Sequence, residues 1–406
     1  MSFDLILRNA RLADGRTVDL GIAAGRFAAV APALAGEGPE QDLGDRLVVP
    51  GFVETHLHLD KSCILDRCSS EGSLQDAIAE VAVAKKAFTE ADVHDRARRT
   101  LEKAILQGTT RIRTHVEIDP RIGLRSFAAI KRLQAEYAWA VDLEICVFPQ
   151  EGLLNDPGAE ALLIQAMESG ADLIGGCPYT DSDPNGQIAR IFEIAKRFGT
   201  DIDFHLDFDL DPSRMGLDEV CRQTVAQGMG GRVTIGHVTK LSALPPADFA
   251  AVAQRLKDAG VAVTVLPATD LFLMGRSFDH NIPRGVTHAH RLSGWGVTCS
   301  LATNNVLNPF TPFGDCSLVR IANLYANIAQ LGRPAEMTAC LDMVTEQAAR
   351  LLNLKDYGIA VGNPADLVVL DAQASAQAVA ELAQPLFGFK RGRRVFTRPQ
   401  AQLHRP

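Results

Sequence analysis

The sequence predicts an α/β protein, a (β/α)8 TIM-type barrel carrying a small β-sandwich built from both chain ends. Three observations predict it. Eight runs of four to seven β-prone residues alternate with helical stretches over roughly 300 residues. Short strands bounded by turn signals lead from Phe3 to Leu47 and recur after Pro364. Four histidines, His56, His58, His205 and His237, fall at or just beyond predicted strand ends, where a barrel keeps its chemistry.

The predicted barrel strands end at His56, His115, Phe148, Gly176, His205, Gly236, Leu266 and Ala302. Residues 110–115 and 261–266 are representative, each a β-prone run closed by a turn or a helix start. The clearest helix opens at Thr89, with Asp92 three residues on as a capping box. It sets Val93, Ala97, Leu101 and Ile105 on one face and stops at Gly108. A doubly wound open sheet would show Gly-x-Gly-x-x-Gly after its first strand, and none is present. At the ends, residues 4–9 and 18–22 offer strands too short to stand alone, and residues 365–370 and 393–396 offer partners. The expected division is therefore 1–50 and 356–406 in the small β-domain, with 51–355 as the barrel.

The chain has 406 residues, 47% of them hydrophobic, enough for one large core and a smaller one. A net charge of -8 and 6% aromatics, with no long basic run, argue against a nucleic-acid surface. No apolar run has membrane-spanning length and no secretory leader precedes Asp4. The eight cysteines are scattered without a Cys-x-x-Cys, which reads as reduced thiols in a cytoplasmic protein.

The chemistry starts at residues 47–61. Residues two apart on a strand share a face, so His56 and His58 look into one pocket. Paired neutral imidazoles suit zinc or another first-row divalent ion. His205 and His237 reach the same rim from strands five and six. Asp207 and Asp209 continue the inward face of His205 if that strand continues, and Asp270 follows strand seven.

The segments Pro50-Gly51-Phe52-Val53-Glu54-Thr55-His56-Leu57-His58-Leu59-Asp60-Lys61, Arg113-Thr114-His115-Val116, Val147-Phe148-Pro149-Gln150-Glu151-Gly152, Asp203-Phe204-His205, Val233-Thr234-Ile235-Gly236-His237 and residues 357–367 occur in one order along the chain. In this the sequence resembles the amidohydrolase superfamily, and within it the cytosine-deaminase-like branch that includes triazine amidohydrolases. The resemblance implies one zinc or iron ion on His56, His58 and His205. It places His237 over the attacking water and Gln150 at the edge of a small, nitrogen-rich cyclic substrate. Lys61 follows the His-x-His strand, where it either approaches a substrate or is a solvated or ion-paired lysine. Strand four ends Gly175-Gly176-Cys177-Pro178, without the lysine that bridges two metals in some relatives, so a mononuclear site is implied. A homo-oligomer is implied as well.

Two positions depart from the pattern. Asn304 stands where the resemblance expects an aspartate that is both ligand and base, and an amide oxygen can ligate but not take a proton at neutral pH. Phe208 stands where a glutamate would shuttle protons. A metal-assisted hydrolysis still needs a proton acceptor, and Asp207 and Asp270 are the candidates. Two readings follow: a hydrolase of C–N bonds with a rewired base, or a pocket that binds a small molecule after losing hydrolysis.

Overall fold

A computed structural model describes residues 2–69 and 72–404. Eight parallel strands form the barrel: β1 (Phe52–Leu57), β2 (Thr109–Glu117), β3 (Asp142–Phe148), β4 (Leu173–Gly176), β5 (Ile202–Leu206), β6 (Val233–His237), β7 (Val261–Val265) and β8 (Cys299–Leu301). The predicted ends agree with these to within two residues. Every neighbouring pair from β1 to β8 is parallel, with the intervening helices packed on the outer face and the strands' own side chains filling the interior.

Backbone bonds between the β8 and β1 ends of the barrel run through Asn304. Asn304 donates its N–H to the His56 carbonyl and accepts the His58 N–H, both at 2.8 Å. Beneath it, the Thr55 and Ser300 hydroxyls meet at 2.8 Å. The residue that joins the two ends of the barrel therefore lies between the two histidines of the first strand.

The chain ends supply two four-stranded sheets. One holds Leu5–Arg11, Thr17–Ala23, Arg26–Ala31 and Glu40–Asp42; the other holds Val48–Pro50, Leu367–Leu370, Pro385–Lys390 and Arg393–Thr397. Leu20, Ile22 and Phe27 from the first pack with Val48, Leu367, Val369 and Phe389 from the second, in a core separate from that of the barrel. Lys390 ties this unit to the barrel: its ammonium donates to Asp366 at 2.7 Å, Asp142 at 2.8 Å and the Thr110 carbonyl at 3.0 Å.

The helix Glu90–Leu106 keeps the predicted buried face, Val93, Ala97, Leu101 and Ile105, and Gly108 ends the segment at φ +90°. Its cap is half the expected box. Thr89 Oγ1 accepts the Asp92 N–H at 3.2 Å, but the Asp92 carboxylate is drawn to the guanidinium groups of Arg67 and Arg96, at 2.6 and 3.1 Å. A charged partner outcompetes the return bond to the cap backbone.

Low in the barrel, Arg113 is buried between Glu144 at 2.7 Å and Asp203 at 2.9 Å. Replacing Arg113 with methionine strands the Asp203 carboxylate, and breaking a buried pair from one side costs about 3–5 kcal/mol. Urea unfolding of Arg113→Met should show a loss of that size, and adding Asp203→Asn should recover at least half of it. A single-variant loss below about 1 kcal/mol would mean the pair is not holding the barrel.

Candidate active site

At the C-terminal rim, β1 and β5 bring three imidazoles together. His56 Nε2 and His58 Nε2 each approach His205 Nε2 to 3.1 Å. All three rings are buried, and burial pushes each well below the ordinary histidine range, with the neighbouring histidines adding to the effect. They are therefore neutral, with lone pairs available. Nitrogens bound to a tetrahedral zinc at 2.0–2.1 Å lie about 3.3 Å apart, close to the spacing seen here. The donor set fits a divalent cation. Among the described residues, no atom hydrogen-bonds the Nδ1 of these three rings or the Asn304 side-chain oxygen, although all are buried. Asn304 adopts φ +63°, a left-handed conformation that asparagine tolerates, and it is fixed by the two backbone bonds that close the barrel.

His237 completes the rim. A ligand atom of His237 lies within 4.8 Å of those of His56 and His205. Its Nδ1 donates to Asp270 Oδ1 at 2.7 Å, leaving Nε2 as the free nitrogen. Asp270 is fully buried at the start of the short helix Pro267–Leu273, and burial pushes its carboxyl up while His237 opposes the shift. Phe208 stacks on the His237 ring, with centroids 3.7 Å apart and planes at 20°. The ring that replaces the expected shuttle thus braces the histidine. His237 and Val238 hold φ of +68° and +45°, uncommon for any residue with a Cβ and costly for a β-branched one. The Val238 N–H bonds the Leu206 carbonyl at 3.0 Å, so the strained turn is pinned to β5.

Asp207 does not join them. Its two carboxylate oxygens accept the N–H groups of Gly216 and Leu217 at 2.8 and 3.0 Å, at the start of the helix Leu217–Ala226. The inward alternation expected of it stops because β5 ends at Leu206 and Asp207 turns to φ +50°. The expected catalytic role of Asp207 is corrected here to a structural one. Asp209 is equally outside the site, ion-paired with Lys240 at 3.2 Å.

Near the histidines, Lys61 and Gln150 meet. Lys61 Nζ donates to Glu117 Oε1 at 2.7 Å and to Gln150 Oε1 at 3.1 Å, and it lies 4.4 Å from the Phe310 ring centre. Gln150 Nε2 donates to Cys177 Sγ at 3.3 Å. Glu117 is held at about 2, where Lys61 and Lys85 together outweigh a burial effect that would raise it.

Three site residues carried no role in the sequence reading. His115 stacks on His56 with centroids 3.7 Å apart, fixing that ring's plane. Glu54 accepts the N–H groups of His56 and Thr303, at 3.2 and 3.1 Å, and so sets β1 against β8. Asp203 sits 3.6 Å from His115 Nε2. Glu54 and Asp203 each precede a site histidine by two residues, so the same-face rule that found His58 also reaches them. The histidines beyond β7 stay apart: His280 is exposed and His290 bonds the Tyr325 hydroxyl at 2.7 Å.

The chain belongs to the amidohydrolase family, which matches residues 40–141 and 129–396. It is 29% identical over 405 residues to N-isopropylammelide isopropyl amidohydrolase of Pseudomonas sp. (strain ADP), covering 96% of each. It is 30% identical to pterin deaminase of Rhizobium rhizogenes, covering 87% of this chain and 82% of that one. In structure it is similar to 5-methylcytosine deaminase from Klebsiella pneumoniae, with a TM-score of 0.94 at 28% identity over 99% of both chains. The expected class, an amidohydrolase or deaminase acting on the C–N bond of a cyclic nitrogenous compound, stands on these relatives. Among the described residues no helix is long and apolar enough to cross a membrane.

Proposed function

We propose that this protein is a mononuclear metal-dependent hydrolase in which His237, held by Asp270, has taken over the base work that the resemblance expects of an aspartate at position 304. The observation that carries this reading is the 2.7 Å bond from His237 Nδ1 to a fully buried Asp270. A buried carboxylate fixes the imidazole's tautomer and stabilises its protonated form, so Nε2 can accept a proton.

His56, His58 and His205 would hold one zinc or iron ion, with the Asn304 oxygen as the fourth protein group. A bound ion there supplies Lewis acidity and a more acidic water. The remaining steps belong to side chains. Gln150 and Lys61 would grip the polar edge of a planar ring near the histidines. As water oxygen adds to the ring carbon, its proton passes to His237 Nε2. The same nitrogen then returns the proton to the leaving nitrogen as the C–N bond breaks. With Phe208 packed on His237, no glutamate takes part. A cytoplasmic homo-oligomer is the form in which we propose it works, with 1–50 and 356–406 as one domain and 51–355 as the other.

The test is metal content together with turnover. Protein incubated with zinc, iron or manganese should retain about one equivalent. Chelation should abolish turnover and lower thermal stability, since saturation at a hundredfold above Kd stabilises by about 2.7 kcal/mol. N-isopropylammelide, 5-methylcytosine and pterin are the first compounds to assay. Binding of these without turnover by the loaded protein would favour the second reading, a small-molecule-binding pocket disarmed at Asn304 and Phe208. No retained metal under any condition would remove the hydrolase reading.

A further inference from the structure

Lys85 lies outside every motif of the chain, in a single 3-10 turn (Lys85–Ala87) between the helices Leu74–Ala84 and Glu90–Leu106. It is nevertheless one of the largest fully buried side chains. Its ammonium reaches Glu117 Oε2 at 2.8 Å, Asp119 Oδ2 at 2.6 Å and Glu151 Oε1 at 2.6 Å. Those three carboxylates have the mutual spacing of a cation site, and Lys85 is the cation that fills it. Lys85 donates hydrogen bonds to Glu117 Oε2 at 2.8 Å and Glu151 Oε2 at 2.7 Å, and it holds Asp119 as an ion pair.

We propose that Lys85 is a positioning residue that fixes where the Lys61 ammonium stands in the substrate pocket. This rests on the reading of Lys61 as a substrate contact. Glu117 connects the two lysines: one of its oxygens takes Lys61 at 2.7 Å and the other takes Lys85 at 2.8 Å. Because Lys85 takes the far oxygen and pairs its charge with both neighbouring carboxylates, Glu117 holds Lys61 through a single contact. Lys61 is then left to bridge to Gln150 at 3.1 Å, with its third donor uncommitted to either. Gln150 is itself oriented, since its amide nitrogen is turned to Cys177 Sγ.

Without Lys85, three carboxylates face one another in a buried space where charges are weakly screened. Arg121 already serves Asp119, Glu151 and Asp156 from the outer side, at 3.1, 3.3 and 2.5 Å. Lys61, already on Glu117 and carried on a flexible four-carbon stem, is a cation that can answer. It would swing onto the carboxylates and leave Gln150. The pocket would then lose the donor that faces the substrate edge, while the histidines stay as they are.

The experiment compares Lys85→Met, Lys85→Arg and Lys61→Met in metal-loaded protein, using calorimetric binding of N-isopropylammelide, metal content and a crystal structure of Lys85→Met. Lys61→Met and Lys85→Met should each weaken binding about tenfold or more, the loss of one charge-assisted hydrogen bond. Metal content should stay at the wild-type level. Lys85→Arg, which keeps the charge, should restore affinity to within about threefold. In Lys85→Met the Lys61 ammonium should lie beyond hydrogen-bonding distance of Gln150 and against Asp119 or Glu151. A Lys85→Met protein that binds like wild type while Lys61→Met does not would overturn the proposal and spare the reading of Lys61. If neither variant changes binding, the reading of Lys61 fails, and the position of Lys61 in the crystal structure alone judges Lys85. Should Lys85→Met not fold, Lys85→Met/Glu151→Gln removes one charge of each sign and carries the same expectations. Lys61 still bonded to Gln150 in either variant would refute the role.

Discussion

Exchanging Asp270 for asparagine should lower kcat by a factor of about 10²–10⁴, the range a positioned general base supplies. The side chains have the same shape, and an asparagine oxygen could still accept from His237 Nδ1, so the ring need not move far. What disappears is the negative charge 2.7 Å from that nitrogen, and with it the stabilisation of the imidazolium that forms as water attacks. Because Asp270 is fully buried, solvent does little to screen that charge or replace it. KM should stay within about twofold, since an interaction that strengthens only in the transition state leaves ground-state binding alone. Metal content is the control: His56, His58 and His205 are untouched, so retention should match wild type. A fall in kcat of less than about tenfold with metal intact would mean that the dyad is not the base.

This dyad marks where sequence reasoning reached its limit. The spacing of two put His56 and His58 on one face, and the barrel reading put His205 and His237 at the same rim, although β1 is irregular over Glu54–Leu57 and β6 ends at a left-handed His237. The same rule misplaced Asp207, since the alternation ends with β5 at Leu206 and a left-handed residue follows. No local pattern announces a positive φ at an aspartate. Asp270 could be placed after β7, but its bond to His237 spans 33 residues and depends on how two loops settle over the rim. Lys85 was less legible still. A lysine on a short turn, followed directly by Lys86, carries no periodicity, and only the folded chain shows that Lys85 pairs with three acids contributed by β2 and the loops after β2 and β3. What the fold adds to the pattern is mostly pairing between charges at strand ends, where chain direction changes and spacing rules lapse.

Converting Asn304 to aspartate should reverse the sign of its effect on stability according to whether metal is present. In metal-free protein the new carboxylate would replace an amide oxygen that is buried and has no partner among the described residues. An unpaired buried carboxylate is costly; it escapes by taking up a proton, so its pKa rises by as much as 3–5 units. At about 1.4 kcal/mol per unit, the metal-free variant should lose about 3 kcal/mol or more at neutral pH. With zinc bound the same charge becomes a ligand, and affinity should rise at least about tenfold. Backbone strain does not confuse the comparison, because aspartate tolerates φ +63° about as well as asparagine does, and both backbone bonds to β1 are kept. Activity should not rise with affinity. A carboxylate at 304 would bring a second proton acceptor to the rim and compete with His237 for the proton that the leaving nitrogen must receive. Thermal melts with chelator and with zinc, beside wild type, read both halves of the effect. Equal melting of the two proteins in chelator would mean that the Asn304 side chain faces away from the histidines. A variant that gains turnover along with metal would mean that the His237–Asp270 pair never replaced the aspartate, and that this chain is an amidohydrolase disarmed by a single amide.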